Sequence, residues 1–121
     1  MTRFMISYKQ GEVVLISFPF TDLSSYKQRP GIVISSDKFN DTHRDVIIAA
    51  ITSRIPAQIS GTDYVLDMNE QKQAGLPKKS MVKMDKIVTL DQILIRKKLG
   101  HLPIHALKQS IELLHLILLN D

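Results

Sequence analysis

Apolar residues in this chain fall into short blocks over the first ninety positions and into one long periodic stretch at the end. Glu12-Val13-Val14-Leu15-Ile16-Ser17-Phe18 follows Gly11 and stops at Pro19, a β-branched run of strand length. The run is nearly continuous, so both faces of this strand are expected to be covered, as in a small closed or sandwiched β core. Gly31 to Ser35 and Val46 to Thr52 read as the second and third strands. The turn between them is rich in Asp, Asn and Thr, and Asp37 is placed to cap a short helical turn there. Pro56 and Gly61 mark a loop, Tyr64 to Met68 a short fourth strand, and Asn69 to Gln73 a turn or single helical turn closed by Gly75. Ser80 to Val88 is the fifth strand, and Leu90 to Leu102 contributes a further short one ending at Gly100. Pro103 suits the first position of a helix whose Ile104, Leu107, Ile111, Leu114 and Leu118 recur at three- and four-residue spacing. Leu113, Leu116, Ile117 and Leu119 add apolar surface on its other sides, which the core or a second subunit must cover.

The same alternation sorts the polar residues. In the third strand it puts Ala50, Thr52 and Arg54 on one side and Ile51 and Ser53 on the other, so Thr52 and Arg54 leave the core together. In the fifth, Met81, Lys83, Asp85 and Ile87 share one face, and Val82, Met84, Lys86 and Val88 the other. Lys83 and Asp85 are thereby neighbours, as a surface ion pair or as a functional one. Arg29 stands at a strand entrance, because Pro30 forces the residue before it into an extended conformation. A guanidinium held there aims its fork in one direction, as recognition of a phosphate or carboxylate requires. The polar stretch from Pro19 to Gln28 is expected to be a loop, either a plain excursion or a binding element.

Composition narrows the classes. At 121 residues, 44% hydrophobic and 23% charged, the chain has the size and make-up of one globular domain, taken as 1–121. It has no cysteine, which removes disulfides, thiolate chemistry and cysteine-ligated zinc. His43, His101, His105 and His115 are not spaced for a metal, and no metal or cofactor is expected. Sixteen basic against twelve acidic residues give +4, suited to a polyanionic partner without demanding one. No stretch is long and apolar enough for a signal peptide or a membrane span, so a soluble, cytoplasmic protein is expected.

RNA can be cut without a metal when its own 2′-hydroxyl attacks the adjacent phosphorus. That reaction calls for a proton acceptor, a phosphate clamp and help for the departing 5′-oxygen. Asp85 as base, Arg29 as clamp, and Lys83 or Thr52 as a further donor could supply them, although many small proteins offer some such combination.

Five segments in order, Gly11-Glu12-Val13-Val14-Leu15, Arg29-Pro30-Gly31-Ile32-Val33-Ile34-Ser35, Ala49 to Arg54, Gly75-Leu76 with Ser80 to Leu90, and Lys98 to Leu102 before an apolar helix, resemble the MazF/PemK family of toxin endoribonucleases. The resemblance covers nearly the whole chain. It implies a mainly β fold, a small curled antiparallel barrel with a C-terminal α-helix, related to that of the gyrase poison CcdB. It also implies a homodimer, an acidic antitoxin partner, and sequence-selective cleavage of single-stranded mRNA that halts translation. Carried over position by position, Arg29 matches the arginine of the family's Arg-Pro motif and Thr52 the threonine ending its third-strand motif. Lys83 and Asp85 stand where the Kid branch has Arg-X-Asp, which makes Arg29, Thr52 and Asp85 the expected catalytic set. Lys27, Gln28, Ser53, Arg54, Lys83 and Lys86 are expected to contact RNA. The chain departs from the family at Lys83, at Lys86 where many relatives carry glutamine, and in a loop before Arg29 without the usual glycine. The alternatives are a CcdB-like inhibitor of a DNA topoisomerase and a non-catalytic relative that binds RNA or peptide.

Overall fold

The computed structural model describes residues 7–17 and 28–119. Six strands run in chain order β1 (Glu12–Ile16), β2 (Arg29–Val33), β3 (Asp45–Thr52), β4 (Asp63–Val65), β5 (Met81–Asp91) and β6 (Lys97–His101). Between and after them lie α1 (Asp37–Thr42), α2 (Met68–Gln73) and α3 (Ile104–Leu118). The strands form one antiparallel sheet in the order β4-β5-β3-β2-β1-β6.

The continuous apolar run of β1 is explained by two cores, one on each side of the sheet. Val13 packs with Ile32, Ala49, Ile51, Val82 and Met84 beneath Ala106 and Leu107 of α3. Val14 and Ile16 pack with Val33, Val46, Ile48 and Ile95 on the side away from α3. Helix α3 lies over β4 and β5, burying Ala106, Leu107 and Ser110. Its apolar stripe is covered only in the middle. Ile104 is 64% exposed and Leu118 69%, and Leu116, Ile117 and Leu119 are also exposed.

The sheet is curled but open: β4 and β6 are its edges, with no ladder between them. The end of α2 bridges the gap by seating on β6. A side chain at Gly75, whose φ is +73°, would overlap the Leu99 carbonyl, and one at Gly100 would overlap the Gln73 carbonyl. Both glycines are therefore required by close backbone approach. The other end of α2 starts at a capping box, in which Asp67 accepts from Glu70 N at 2.8 Å and Glu70 Oε1 accepts from Asp67 N at 2.9 Å. Glu70 is buried, and its other oxygen accepts the Tyr64 hydroxyl at 2.8 Å and lies 2.8 Å from His105 Nε2. One carboxylate thus ties α2 to β4 and to the first turn of α3.

Several expected boundaries move. The second strand begins at Arg29 instead of Gly31, and the fourth at Asp63 instead of Tyr64, with Met68 already helical. Ser36, not Asp37, caps α1, its hydroxyl accepting from Phe39 N. Pro103 is the residue before α3 and not its first helical one. The expected loop from Pro19 onward and Lys27 lie outside the described residues, apart from Gln28 at the edge of β2. Among the described residues no helix is long and apolar enough to cross a membrane.

Candidate functional site

Arg29 opens β2 opposite Ile16 of β1. Ile16 belongs to the core away from α3, and directly paired residues share a face, so Arg29 projects on that side at the end of that core. Its Nε is buried and makes no hydrogen bond among the described residues. The ladder between β2 and β3 pairs Gly31 with Ala50. Two residues further along each strand in that register stand Arg29 and Thr52.

Thr52 ends β3, paired on its other side with Met81 of β5. Its Oγ1 accepts the backbone N–H of Arg54 at 3.1 Å, a local turn that fixes the chain as it leaves the sheet. A cleft of about 600 Å³ opens beside it, lined by Thr52, Arg54, Gln58, Ser60, Asp63 and Lys83 among others. That volume lies within the range of roughly 300–1,000 Å³ usual for ligand sites.

Strand β5 carries a bulge here. Ala49 pairs with Ile87 but the next residue, Ala50, pairs with Lys83, so Met84, Asp85 and Lys86 have no partner on β3. The bulge corrects the expected alternation of β5. Val82 and Met84 share the helix-side core, as their alternation predicts of a common face, but Ile87 joins them there, and Val88 packs with the core on the other side. The phase of the strand resets between Asp85 and Ile87. Lys83 and Asp85 nevertheless meet, Nζ to Oδ1 at 3.7 Å. Lys83 is also 3.3 Å from Oδ1 and 3.4 Å from Oδ2 of Asp63, the residue opposite it on β4.

The structure thus brings Thr52, Arg54 and Lys83 to one cleft, with Asp85 in contact with Lys83 and Arg29 beside Thr52 on the neighbouring strand. Ser53 is exposed but does not line the cleft, Gln28 is half-buried beside Arg29, and Lys86 is exposed on the bulge. Asp63 escaped the sequence, where it fell in a loop before the fourth strand. The alternation Asp63-Tyr64-Val65, continued one residue earlier, was the available signal.

Residues 9–118 match the family described as PemK-like, MazF-like toxin of type II toxin-antitoxin system. The chain belongs to this family. No curated protein matches it by sequence. Among solved structures, this PemK/MazF-family chain is similar to an endoribonuclease from a mycobacterial species, with TM-score 0.75 and 20% identity over 95% of this chain and 94% of that one. A MazF from Deinococcus radiodurans superposes with TM-score 0.73 at 21% identity, over 93% and 97% of the two chains. A MazE-MazF structure from the same organism gives 0.72 at 21% identity, over 93% and 96%. At these identities the likeness carries the fold: the curled antiparallel sheet with its C-terminal helix is that of the PemK/MazF family.

Proposed function

We propose that this chain is the toxin of a type II toxin-antitoxin pair and an endoribonuclease that cuts single-stranded RNA without a metal ion. The observation that supports it best is the placement of Arg29, its buried Nε unpartnered among the described residues, in register with Thr52 beside the cleft that holds Lys83. The 2′-oxygen forms a bond to phosphorus as the bond from phosphorus to the 5′-oxygen breaks, leaving a 2′,3′-cyclic phosphate and a 5′-hydroxyl. Asp85, whose side chain is exposed, accepts the 2′-proton, and solvent at the cleft mouth supplies the proton on the 5′-oxygen.

Arg29 stabilises the charge that develops on the phosphorane. Its Nε, buried and unpaired among the described residues, is a donor that an arriving phosphate oxygen would satisfy. A guanidinium keeps its protons at any working pH, so Arg29 acts by charge and not by proton transfer. Thr52 uses its oxygen to accept from Arg54 N and keeps its O–H to donate. Lys27, Gln28, Ser53, Arg54 and Lys86 contribute contacts along the RNA.

Two chains pair through the exposed apolar end of α3, and an acidic, initially disordered antitoxin segment competes with RNA for the site. Two of the similar structures are complexes, one of a mycobacterial endoribonuclease with its cognate antitoxin and one of MazE with MazF. The test is incubation of purified protein with a long RNA in excess chelator, followed by mapping of the cut ends. Discrete cuts ending in cyclic phosphate are expected, and RNA left intact would sink the assignment.

A further inference from the structure

We propose that Asp63 is a positioning residue of this site: it holds the Lys83 ammonium, and Lys83 in turn holds Asp85. The inference rests on the ribonuclease reading for what Asp85 does, and on geometry alone for how Asp85 is held.

A lysine has three N–H donors and no acceptor. Three carboxylate oxygens surround Nζ of Lys83, two from Asp63 at 3.3 and 3.4 Å and one from Asp85 at 3.7 Å. The contacts to Asp63 are hydrogen bonds and the one to Asp85 is an ion pair, so the ammonium is shared between two carboxylates. Lys83 is therefore read as a bridge between them.

Burial gives the bridge a direction. The side chain of Asp63 is 2% exposed, that of Lys83 21%, and that of Asp85 44%. A carboxylate as enclosed as Asp63 is strongly disfavoured without a counter-charge, so it fixes the ammonium from below. Asp85, the exposed member, sits in the bulge where β3 offers no pairing partner. The ladder does not set its position, and the contact to Lys83 is what restrains its carboxylate. Met84 N, donating to Thr62 O at 3.2 Å, anchors the bulge from the β4 side.

The charges also sum usefully. Two carboxylates against one ammonium leave a single negative charge in excess, and its accessible end is Asp85. The ammonium is held mainly by the buried Asp63, which leaves the exposed Asp85 carboxylate facing the solvent side of the bridge.

Asp63→Asn keeps the shape and removes the charge. In a folded variant it is expected to lower kcat about tenfold with KM within about twofold, the pattern of a group that acts only in the transition state. In an Asp85→Asn background the same change should do nothing further. An unchanged kcat, or an equal loss in both backgrounds, overturns the proposal. Should the amide variant fold poorly, Asp63→Leu with Lys83→Met replaces the pair by apolar groups. This protein is expected to be folded and as slow as Asp63→Asn, and wild-type turnover from it would equally overturn the proposal.

A second arm needs no RNA. Acetic anhydride labelling, read by mass spectrometry of peptides, should modify Lys83 several-fold more slowly than exposed Lys108 in the wild type and at a similar rate in Asp63→Asn. If the wild type cuts no RNA, the ribonuclease reading fails and this arm decides alone how Asp63 holds Lys83. Lys83 labelled as fast as Lys108 in the wild type means that the bridge does not exist.

Discussion

Arg29 and Thr52 stand at matching places on neighbouring strands, two residues beyond the Gly31 and Ala50 pair and in the same register. Both are set by backbone that belongs to the sheet, one at the start of β2 and the other at the end of β3. Groups placed on strands keep their spacing better than groups placed on loops, which is what the phosphorane stabilisation proposed for this pair demands.

Arg29→Ala is expected to abolish RNA cleavage, a loss on the order of a hundredfold or more. Its melting temperature should stay near the wild-type value, because the Nε it removes has no hydrogen-bond partner among the described residues to leave behind. Arg29→Lys should not restore the rate, since the ammonium lacks the planar fork. Steady-state rates and thermal melts of the three proteins decide the matter, and a folded alanine variant with wild-type turnover contradicts the role.

Thr52→Val keeps the volume and loses both the O–H and the acceptor for Arg54 N. A hydrogen bond of about 1 kcal/mol corresponds to roughly a fivefold slower reaction. Thr52→Ser retains both functions and should stay near wild type. Equal rates for valine and threonine would remove Thr52 from the site.

Gly100→Ala tests the closure of the curl. A methyl group there meets the backbone of Gln73 and Ala74, with no flexible side chain to move aside. A loss of about 1–3 kcal/mol in urea unfolding is expected from such overpacking. Gly61→Ala, where nothing lies within 4 Å of the added atom, is the matched control.

Tyr64 is expected to make the fold sensitive to alkali. Burial, then the hydrogen bond and charge of Glu70, then the charge of Asp67, push its hydroxyl from 10.0 up to about 12. The folded chain therefore keeps this proton to higher pH than the unfolded one. The stability it contributes is complete below pH 10 and is lost as the pH rises through about 12. Tyr8, raised by burial and then by Glu12, acts in the same sense. In Tyr64→Phe the decline between pH 10 and 12 should be shallower, and identical stability curves for the two proteins would dismiss the effect.

Sedimentation should give a dimer at micromolar concentration, and Leu116→Glu with Leu118→Glu should shift it toward monomer. Leu116, Leu118 and Leu119, at 51%, 69% and 68% exposure, form more apolar surface at one helix end than an isolated chain of this size usually presents. A wild-type monomer under those conditions would end the idea.

Much of the site could be read from local pattern. Alternation within β3 correctly sends Thr52 and Arg54 away from Ile51, because it depends only on neighbouring residues. Pro30 correctly marks the entrance at which Arg29 stands. What stayed hidden depends on partners distant in sequence. The reset of β5 after Asp85 is set by its pairing with β3, and the approach of Asp63 to Lys83 by its pairing with β4. The capping box from Asp67 to Glu70 was legible in principle, since an acidic cap followed three residues later by glutamate announces a helix start. The strand-like stretch from Tyr64 to Met68 runs across it and masks the signal. The open sheet edges could not be read at all, since closure depends on the fit of α2 against β6 and not on any one strand.

The bulge in β5 separates what the fold needs from what the surface offers. Met84 and Ile87 are anchored in one core, and the two residues between them are exposed and owe nothing to the ladder with β3. Position 86 can therefore be exchanged during evolution at little cost to the ladder, while the proton acceptance proposed for Asp85 keeps its neighbour fixed. A side chain standing next to the proposed base can then be rewritten as the RNA sequence to be recognised, or the inhibitor to be obeyed, changes around it, while the scaffold beneath stays as it is.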